Sequence, residues 1–321
     1  MSESVVDKVV QQGPAFNPSA NYEIERAVFD VDNTIVGNES SEGPHYTFLA
    51  QAKRAASAMQ LGIQSARGAN KTLDSIIGPL VRTAGVDVAR WHGLANGAQI
   101  FDAKEGEMRV ESTVPTDVAM DFARYFTAHN ISFWINDAKK LECADFFPVA
   151  PKAKGETLGT FARQKNIWLP ASSDNLTIIE DYVPHRPLVV VADDVPGDKY
   201  ADLIDFAAGF KNDNVRPLLY AHNQEQDTYK VFFLHKEANK RSALETISIL
   251  SHVTLEHTAT FGDGRNDDDM LRASIEAGGL GFAMGNAHPS LKEIATHILP
   301  TQEQHGAAIG LRYVLDHYAS K

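Results

Sequence analysis

Cysteine is nearly absent from this chain: a single residue, Cys143, stands among 321. One thiol closes no intramolecular disulfide and builds no cysteine zinc cluster, so nothing marks an oxidising compartment, and a buried, inert Cys143 is expected. Long apolar runs are missing too. No stretch approaches the roughly 18 residues of a membrane span, and the opening MSESVVDKVVQQGPAFNPSANYEIER has no apolar signal-peptide core, which makes the cytoplasm the expected location. Positive charge is in deficit, with 30 Lys and Arg against 42 Asp and Glu and a formal net charge of −12 at pH 7. Such a surface gains nothing by displacing counterions from a phosphate backbone or an anionic lipid sheet, so neither nucleic acid nor membrane is an expected partner. The 12 histidines show no metal-like spacing, and internal repeats and low-complexity tracts are lacking.

Apolar residues are plentiful in short, patterned runs. At 321 residues with 43% hydrophobic content, the chain exceeds the size at which one core keeps growing, and two compact units are expected. Residues 44–61, PHYTFLAQAKRAASAMQL, read as a helix stopped by Gly62. NKTLDSIIGPLVRTAG reads as another, with Leu73, Ile76, Ile77 and Leu80 at helical spacing and Asn70 as a candidate cap. Beyond LANGAQIF the pattern changes. Val118, Phe122 and Tyr125 form a helical stripe, ISFWI and PLVVVA have strand character, DKYADLIDFAAGF is helical, and RPLLYA and YKVFFL return to strands. Residues 97–235 therefore read as an α/β unit of their own, set between 21–96 and 236–321, with residues 1–20 as a loosely ordered or strand-edge lead-in. The last part alternates helix RSALETISILSHV, strand HTATFG, helix DDDMLRASIEAG, strand GLGFAM and a helix near AAIGLRYVLDHYA. That order argues for parallel βαβ units in an α/β fold.

Two sets of acids follow strand-like runs. Asp30 and Asp32 come directly after Ala27, Val28 and Phe29 in AVFDVDNTIVG, while Asp263, Asn266, Asp267, Asp268 and Asp269 follow TATFG in FGDGRNDDDML. Ligands of an open parallel sheet sit beyond the carboxyl ends of its strands, so both sets are expected in one crevice. Carboxylates gathered there repel unless a divalent cation holds them, and an all-oxygen set selects a hard ion such as Mg²⁺. Taken singly, each set has a simpler account. Asp-x-Asp after a strand suits a solvated turn, the acids of DDDM suit a helix N-terminus, and GDG lacks the third glycine of a dinucleotide fingerprint.

The order of these motifs along the chain resembles the haloacid dehalogenase superfamily of phosphotransferases and, within it, the Cof-like branch. FDVDNT is similar to the first motif, Asp-x-Asp-x-Thr, and Ser65 in GIQSARG matches the second-motif Ser or Thr, with Ala66 in place of the branch's glycine. Lys240 in HKEANKRSAL matches the third-motif lysine, and FGDGRNDDDML resembles the fourth motif, Gly-Asp-x-x-Asn-Asp-x-x-Met-Leu. GFAMGNAHPSLKEIATHI and LANGAQIF resemble further segments of that branch. Asn33 stands where Cof-like proteins usually carry glycine, in a turn geometry that asparagine tolerates. The resemblance covers residues 26–100 and 232–312 and leaves most of the middle block unmatched.

The resemblance implies a doubly wound parallel-sheet, Rossmann-like core with an inserted α/β cap, and a Mg²⁺-dependent phosphatase. It implies Asp30 as the nucleophile that forms an aspartyl-phosphate and Asp32 as the group that gives and then takes a proton. Mg²⁺ would be held by the Asp30 carboxylate, the Asp32 main-chain carbonyl and Asp263, with Asp267 in or near the same shell. Ser65, Lys240 and the main-chain N–H groups of the loop through Asn33 would hold the phosphate. Thr34 would orient the Asp30 loop, Asn266 would brace Lys240 or the acidic loop, and Arg67 would reach either the substrate phosphate or a surface salt bridge. Trp134 and Trp168 read as core, Asp193 and Asp194 as a solvated loop, and His235 and His305 as structural. The expected substrate is a small phosphate monoester, sugar phosphates first. A sugar phosphomutase and a non-catalytic protein that binds a phosphorylated ligand are the alternatives. Binding alone needs neither nucleophile nor proton donor, so the presence of both Asp30 and Asp32 speaks against the last.

Overall fold

The computed structural model describes residues 6–17, 20–37, 43–129, 131–139, 142–149, 186–210 and 214–319. The chain divides into two compact units, Met1–Val110 with Asn239–Lys321, and Glu111–Ala238.

The first unit is built on a six-stranded sheet whose strands, in spatial order, are Gln11–Gln12, His297–Ile298, Leu280–Ala283, Thr258–Gly262, Arg26–Phe29 and Gln60–Ile63. Every neighbouring pair is parallel except the first, so the N-terminal lead-in serves as a short antiparallel edge. The runs RAVF, TATFG and LGFA are buried at every position, as a parallel sheet covered on both faces requires. The register sets Phe29, Phe261, Phe282 and His297 side by side. Their rings stack at centroid distances of 4.3, 4.6 and 4.8 Å, and Phe48, from the helix Tyr46–Ala55, meets Phe29 edge-on at 5.0 Å. Such pairs contribute about 0.5–1.5 kcal/mol each beyond burial alone. The aromatic row thus locks the register of strands whose ends carry the acids.

Two elements differ from the sequence reading. The first helix ends at Ala55, and Leu61, Gly62 and Ile63 belong to a strand, paired in parallel with Ala27, Val28 and Phe29. The second helix starts from Gly68, ahead of Asn70, and passes through a π-wound turn, Leu73–Ile77, before continuing as Gly78–Ala84. Pro79 has no N–H to continue the ladder, which accounts for the irregular winding just before it. A small sheet of Trp91–Leu94, Gln99–Asp102 and Glu107–Glu111 follows, the first two strands antiparallel. This pairing keeps the stretch from Gly97 to Val110 within the first unit.

The second unit has a five-stranded sheet in the order Val215–Asn223, Thr228–His235, Pro187–Pro196, Ser132–Lys139 and Glu142–Val149, antiparallel throughout. Helices Thr116–Ala128 and Gly197–Ala208 pack on it. The shared core includes Val118, Phe122, Phe126, Phe133, Val190 and Phe233. The alternating burial of Phe133 and Ile135 marks the helix-covered face, and Trp134 lies on the other. There Lys230 Nζ sits over the Trp134 ring at 4.7 Å, so this indole packs against a cation. Asp193 and Asp194 are not in a solvated loop. They lie in the strand Pro187–Pro196, where Asp193 is 3.5 Å from Lys230 Nζ and burial raises its carboxyl above the ordinary value. Trp168 and the side chain of Cys143 lie outside the described residues. Among those described, no helix is long and apolar enough to cross a membrane.

Candidate active site

Parallel pairing sets Phe29 beside Phe261, so Asp30 and Asp263 leave adjacent regions of the sheet at the same strand ends. The Asp30 N–H donates to the Phe261 carbonyl at 2.9 Å and extends the pairing by one residue. The chain then turns tightly. The N–H groups of Thr34, Ile35 and Val36 all donate to the Val31 carbonyl, at 3.3, 3.0 and 3.1 Å. Asn33 takes the left-handed conformation, φ 54°, and its carbonyl accepts from Asn286 Nδ2 at 2.9 Å. Asparagine is among the few residues that adopt that region readily, so it fills the place of glycine here.

The other acids come from the loop after Thr258–Gly262. Asp267 Oδ2 accepts from the main-chain N–H groups of Asp263, at 3.0 Å, and Gly264, at 2.9 Å. Gly262 permits the tight fold, because a Cβ there would fall 2.6 Å from both Cβ and Cγ of Asp267. Asn239 caps the helix Lys240–Ser251 by accepting from the Ser242 N–H at 2.8 Å, which makes Lys240 the first helical residue. Lys240 is buried, and its Nζ donates to Asp267 Oδ1 at 2.5 Å and also to Asp30 Oδ1. Thr34 Oγ1 donates to Asp263 Oδ1 at 3.3 Å, so Thr34 links the two acidic loops.

One oxygen from each of Asp30, Asp263 and Asp267 lies within 4.8 Å of the others. Burial raises the Asp30 carboxyl well above its ordinary value, with the charge of Asp267 adding to the effect and Lys240 opposing it. Burial and Asp267 push Asp263 up to about 7. Burial pulls the Lys240 ammonium down, but the carboxylates of Asp267 and Asp30 outweigh it and leave its pKa above that of an ordinary lysine. Three carboxylates around one ammonium carry two net negative charges when ionised, which is the charge one divalent cation balances. An all-oxygen donor set of this kind suits a hard ion.

Asp32 stands apart from that trio. Its carboxylate is held by Arg67, Nε to Oδ2 at 2.9 Å and Nη2 to Oδ1 at 2.5 Å. Arg67 is thus a half-buried partner of Asp32, not a bridge on the open surface. Ser65 is buried, and its Oγ accepts from the Arg67 N–H at 3.0 Å, which leaves the hydroxyl proton to be donated elsewhere. No hydrogen bond joins Asn266 to Lys240 among the described residues. Asn266 Nδ2 donates to Asn96 Oδ1 at 3.2 Å. Asn96 lies in LANGAQIF, whose Asn-Gly-Ala resembles the branch's entry to the cap, but the sequence assigned it no role, although an Asn-Gly pair between apolar residues is also a turn signal. His305 stacks on His45 at a centroid distance of 4.2 Å, and His235 Nδ1 accepts from the Glu237 N–H, both structural contacts.

Comparison with known proteins follows the same lines. Residues 27–311 match the family of haloacid dehalogenase-like hydrolases. Phosphatase YwpJ of Bacillus subtilis (strain 168) is 39% identical over 80 residues, which are 25% of this chain and 27% of that protein, so the match spans about a quarter of the relative's length. A haloacid dehalogenase-like hydrolase from Bacteroides thetaiotaomicron superposes with a TM-score of 0.68 over 91% of this chain and 100% of that one, at 18% identity. The HAD subclass IIB sugar phosphatase BT4131 gives 0.65 over 90% of this chain and 98% of that one, at 16% identity. At these identities the structural likeness speaks for the fold. With the family matched over nearly its whole length, this chain belongs to the haloacid dehalogenase-like hydrolases.

Proposed function

We propose that this protein is a Mg²⁺-dependent phosphatase that hydrolyses a small phosphate monoester, a sugar phosphate first among the candidates, through an aspartyl-phosphate. The observation that carries the reading is the division of labour between two acids two residues apart. Asp30 lies buried against Lys240 and beside Asp263 and Asp267, whereas Asp32 is turned away onto Arg67. A nucleophile needs to be held and unable to wander, and a proton carrier needs to be oriented separately from it.

In this reading an Asp30 carboxylate oxygen attacks phosphorus and the bond to the leaving oxygen breaks. Asp32, protonated, gives its proton to the departing alcohol oxygen. Asp32, now a carboxylate, takes a proton from a water that attacks the same phosphorus, which releases inorganic phosphate and restores Asp30. Lys240 offsets charge on the nucleophile and on the phosphoryl oxygens, and the Ser65 hydroxyl donates to one of those oxygens. Asp30, Asp263 and Asp267 are the residues that would hold Mg²⁺, with the Asp32 carbonyl as the main-chain candidate. Bound there, the ion would screen the repulsion between an anionic nucleophile and an anionic phosphate. The unit Glu111–Ala238, inserted in sequence between Ser65 and Lys240, is assigned the role of a cap that selects the alcohol. The sugar phosphatase among the structural neighbours supports the substrate class.

The test is phosphate release from a panel of phosphorylated metabolites with Mg²⁺ present, with Asp30→Asn as the blank. Turnover that is abolished by the substitution while substrate binding persists is the expected result. Release that survives in Asp30→Asn overturns the nucleophile assignment, and a wild-type protein that binds sugar phosphates without hydrolysing any monoester overturns the phosphatase reading.

A further inference from the structure

Residues Ala95, Asn96 and Gly97 form one left-handed turn, with φ of 50°, 54° and 88°. Alanine is disfavoured in that region, and two non-glycine residues in succession there are unusual. The turn meets three of the segments that supply the site. The Ala95 N–H donates to the Arg67 carbonyl and the Asn96 N–H to the Ser65 carbonyl, each at 2.9 Å. Asn96 Oδ1 accepts from Asn266 Nδ2 at 3.2 Å. Gly97 lies so close to Asn239, the cap of the helix that begins with Lys240, that a Cβ on it would fall 2.2 Å from the Asn239 carbonyl oxygen.

Asn96 is 1% exposed, and its Nδ2 has no hydrogen-bond partner among the described residues. A buried amide donor left unpaired and a run of positive φ both cost stability, and both persist where the surroundings demand the shape. We propose that Asn96 is a positioning residue: its main chain holds the Ser65 loop while its side chain, through Asn266, ties that loop to the one carrying Asp263 and Asp267. The role rests on the phosphatase reading for its consequence in catalysis, but the tie itself is geometric and can be read without turnover. Sequence distance explains why it is needed. Ser65 and Asp267 belong to loops some two hundred residues apart, and the sheet fixes their strands without fixing their tips.

The experiment is a double-mutant cycle. Asn96→Gly keeps the left-handed backbone and both N–H bonds and removes only the side chain, and Asn266→Ala removes the donor. Mg²⁺ affinity is measured by calorimetry and turnover with p-nitrophenyl phosphate, after circular dichroism has shown each variant folded. Each single substitution is expected to weaken Mg²⁺ binding and lower kcat by roughly tenfold with KM changed less than about twofold, and the double to be no worse than either single, because both remove one bond. Losses that multiply in the double variant, or singles that leave both quantities unchanged, overturn the proposal. The non-additive pattern in Mg²⁺ affinity across the variants, together with a wild-type protein that hydrolyses no monoester, would remove the phosphatase reading and leave the positioning role standing.

Discussion

Arg67 grips both carboxylate oxygens of Asp32 with its Nε and one terminal nitrogen, at 2.9 and 2.5 Å. A two-point contact fixes the plane of the carboxyl as well as its position, which a single ammonium does not. Arg67→Lys is therefore expected to keep the charge and lose the orientation. If Asp32 carries the proton, kcat should fall by roughly ten- to a hundredfold with KM little changed, since a misdirected proton donor harms the transition state and not the ground state. Steady-state kinetics check this, and a variant that loses affinity at full kcat would make Arg67 a substrate contact instead.

Lys240 sits between Asp30 and Asp267 with its side chain 1% exposed. Lys240→Met leaves the carboxylates facing one another without a cation. Breaking a buried ion cluster from one side costs about 3–5 kcal/mol, and urea unfolding of the metal-free protein at pH 8 should show a loss of that order. The remaining acids then hold more uncompensated negative charge, so added Mg²⁺ should raise the melting temperature of Lys240→Met by more than it raises that of the wild type. An equal or smaller rise would mean that the acids do not form the cation site.

Much of this arrangement is legible in the sequence, because strand-ending acids and helix-starting residues are local patterns. AVFD and TATFGD each place an acid one residue beyond a buried run, and the parallel register that brings them together follows from the alternation of strands and helices. What escapes is set by tertiary contact. Leu61 reads as the end of a helix stopped by Gly62, yet Leu61–Ile63 becomes a strand because the sheet offers it Ala27, Val28 and Phe29 as partners. Asp193 and Asp194 look like a polar loop and extend a strand beside Lys230. The partner of Asn266 could not be read from its own motif, since Asn96 lies 170 residues away.

Gly262 offers a test of the acidic loop that leaves every ionisable group in place. A Cβ added there would meet Asp267 at the base of its side chain, 2.6 Å from Cβ, so the loop itself must move. Gly262→Ala should destabilise the protein by about 1–3 kcal/mol, the usual range for overpacking. It should also weaken Mg²⁺ binding by calorimetry and reduce the stabilisation that is lost when EDTA is added. Unaltered Mg²⁺ affinity would show that the position of Asp267 does not matter to the ion.

His92 ties the second-motif strand to its neighbour and makes that junction sensitive to acid. The ring is fully buried; its Nε2 is 2.9 Å from the Ala89 carbonyl, and its Nδ1 accepts from the Ile63 N–H at 3.2 Å. One nitrogen must donate and the other accept, which only the neutral ring can do. Burial accordingly lowers its pKa to about 4, against the opposing pull of the Ala89 carbonyl and Asp102, and burial lowers that of His297 to about 4 as well. In the unfolded chain both rings titrate near 6.5. Between those values the unfolded state binds more protons than the folded one. Stability is thus fully present above about pH 6.5 and is lost as pH falls toward 4, at no more than about 1.4 kcal/mol per pH unit for each ring. Urea unfolding at pH 7.5 and pH 5 should show the decline in the wild type and a shallower one in His92→Gln, which has no proton to gain. An identical slope in the two proteins would mean that the folded state does not hold the His92 ring neutral, and that burial and the bond from Ile63 leave its proton affinity unchanged.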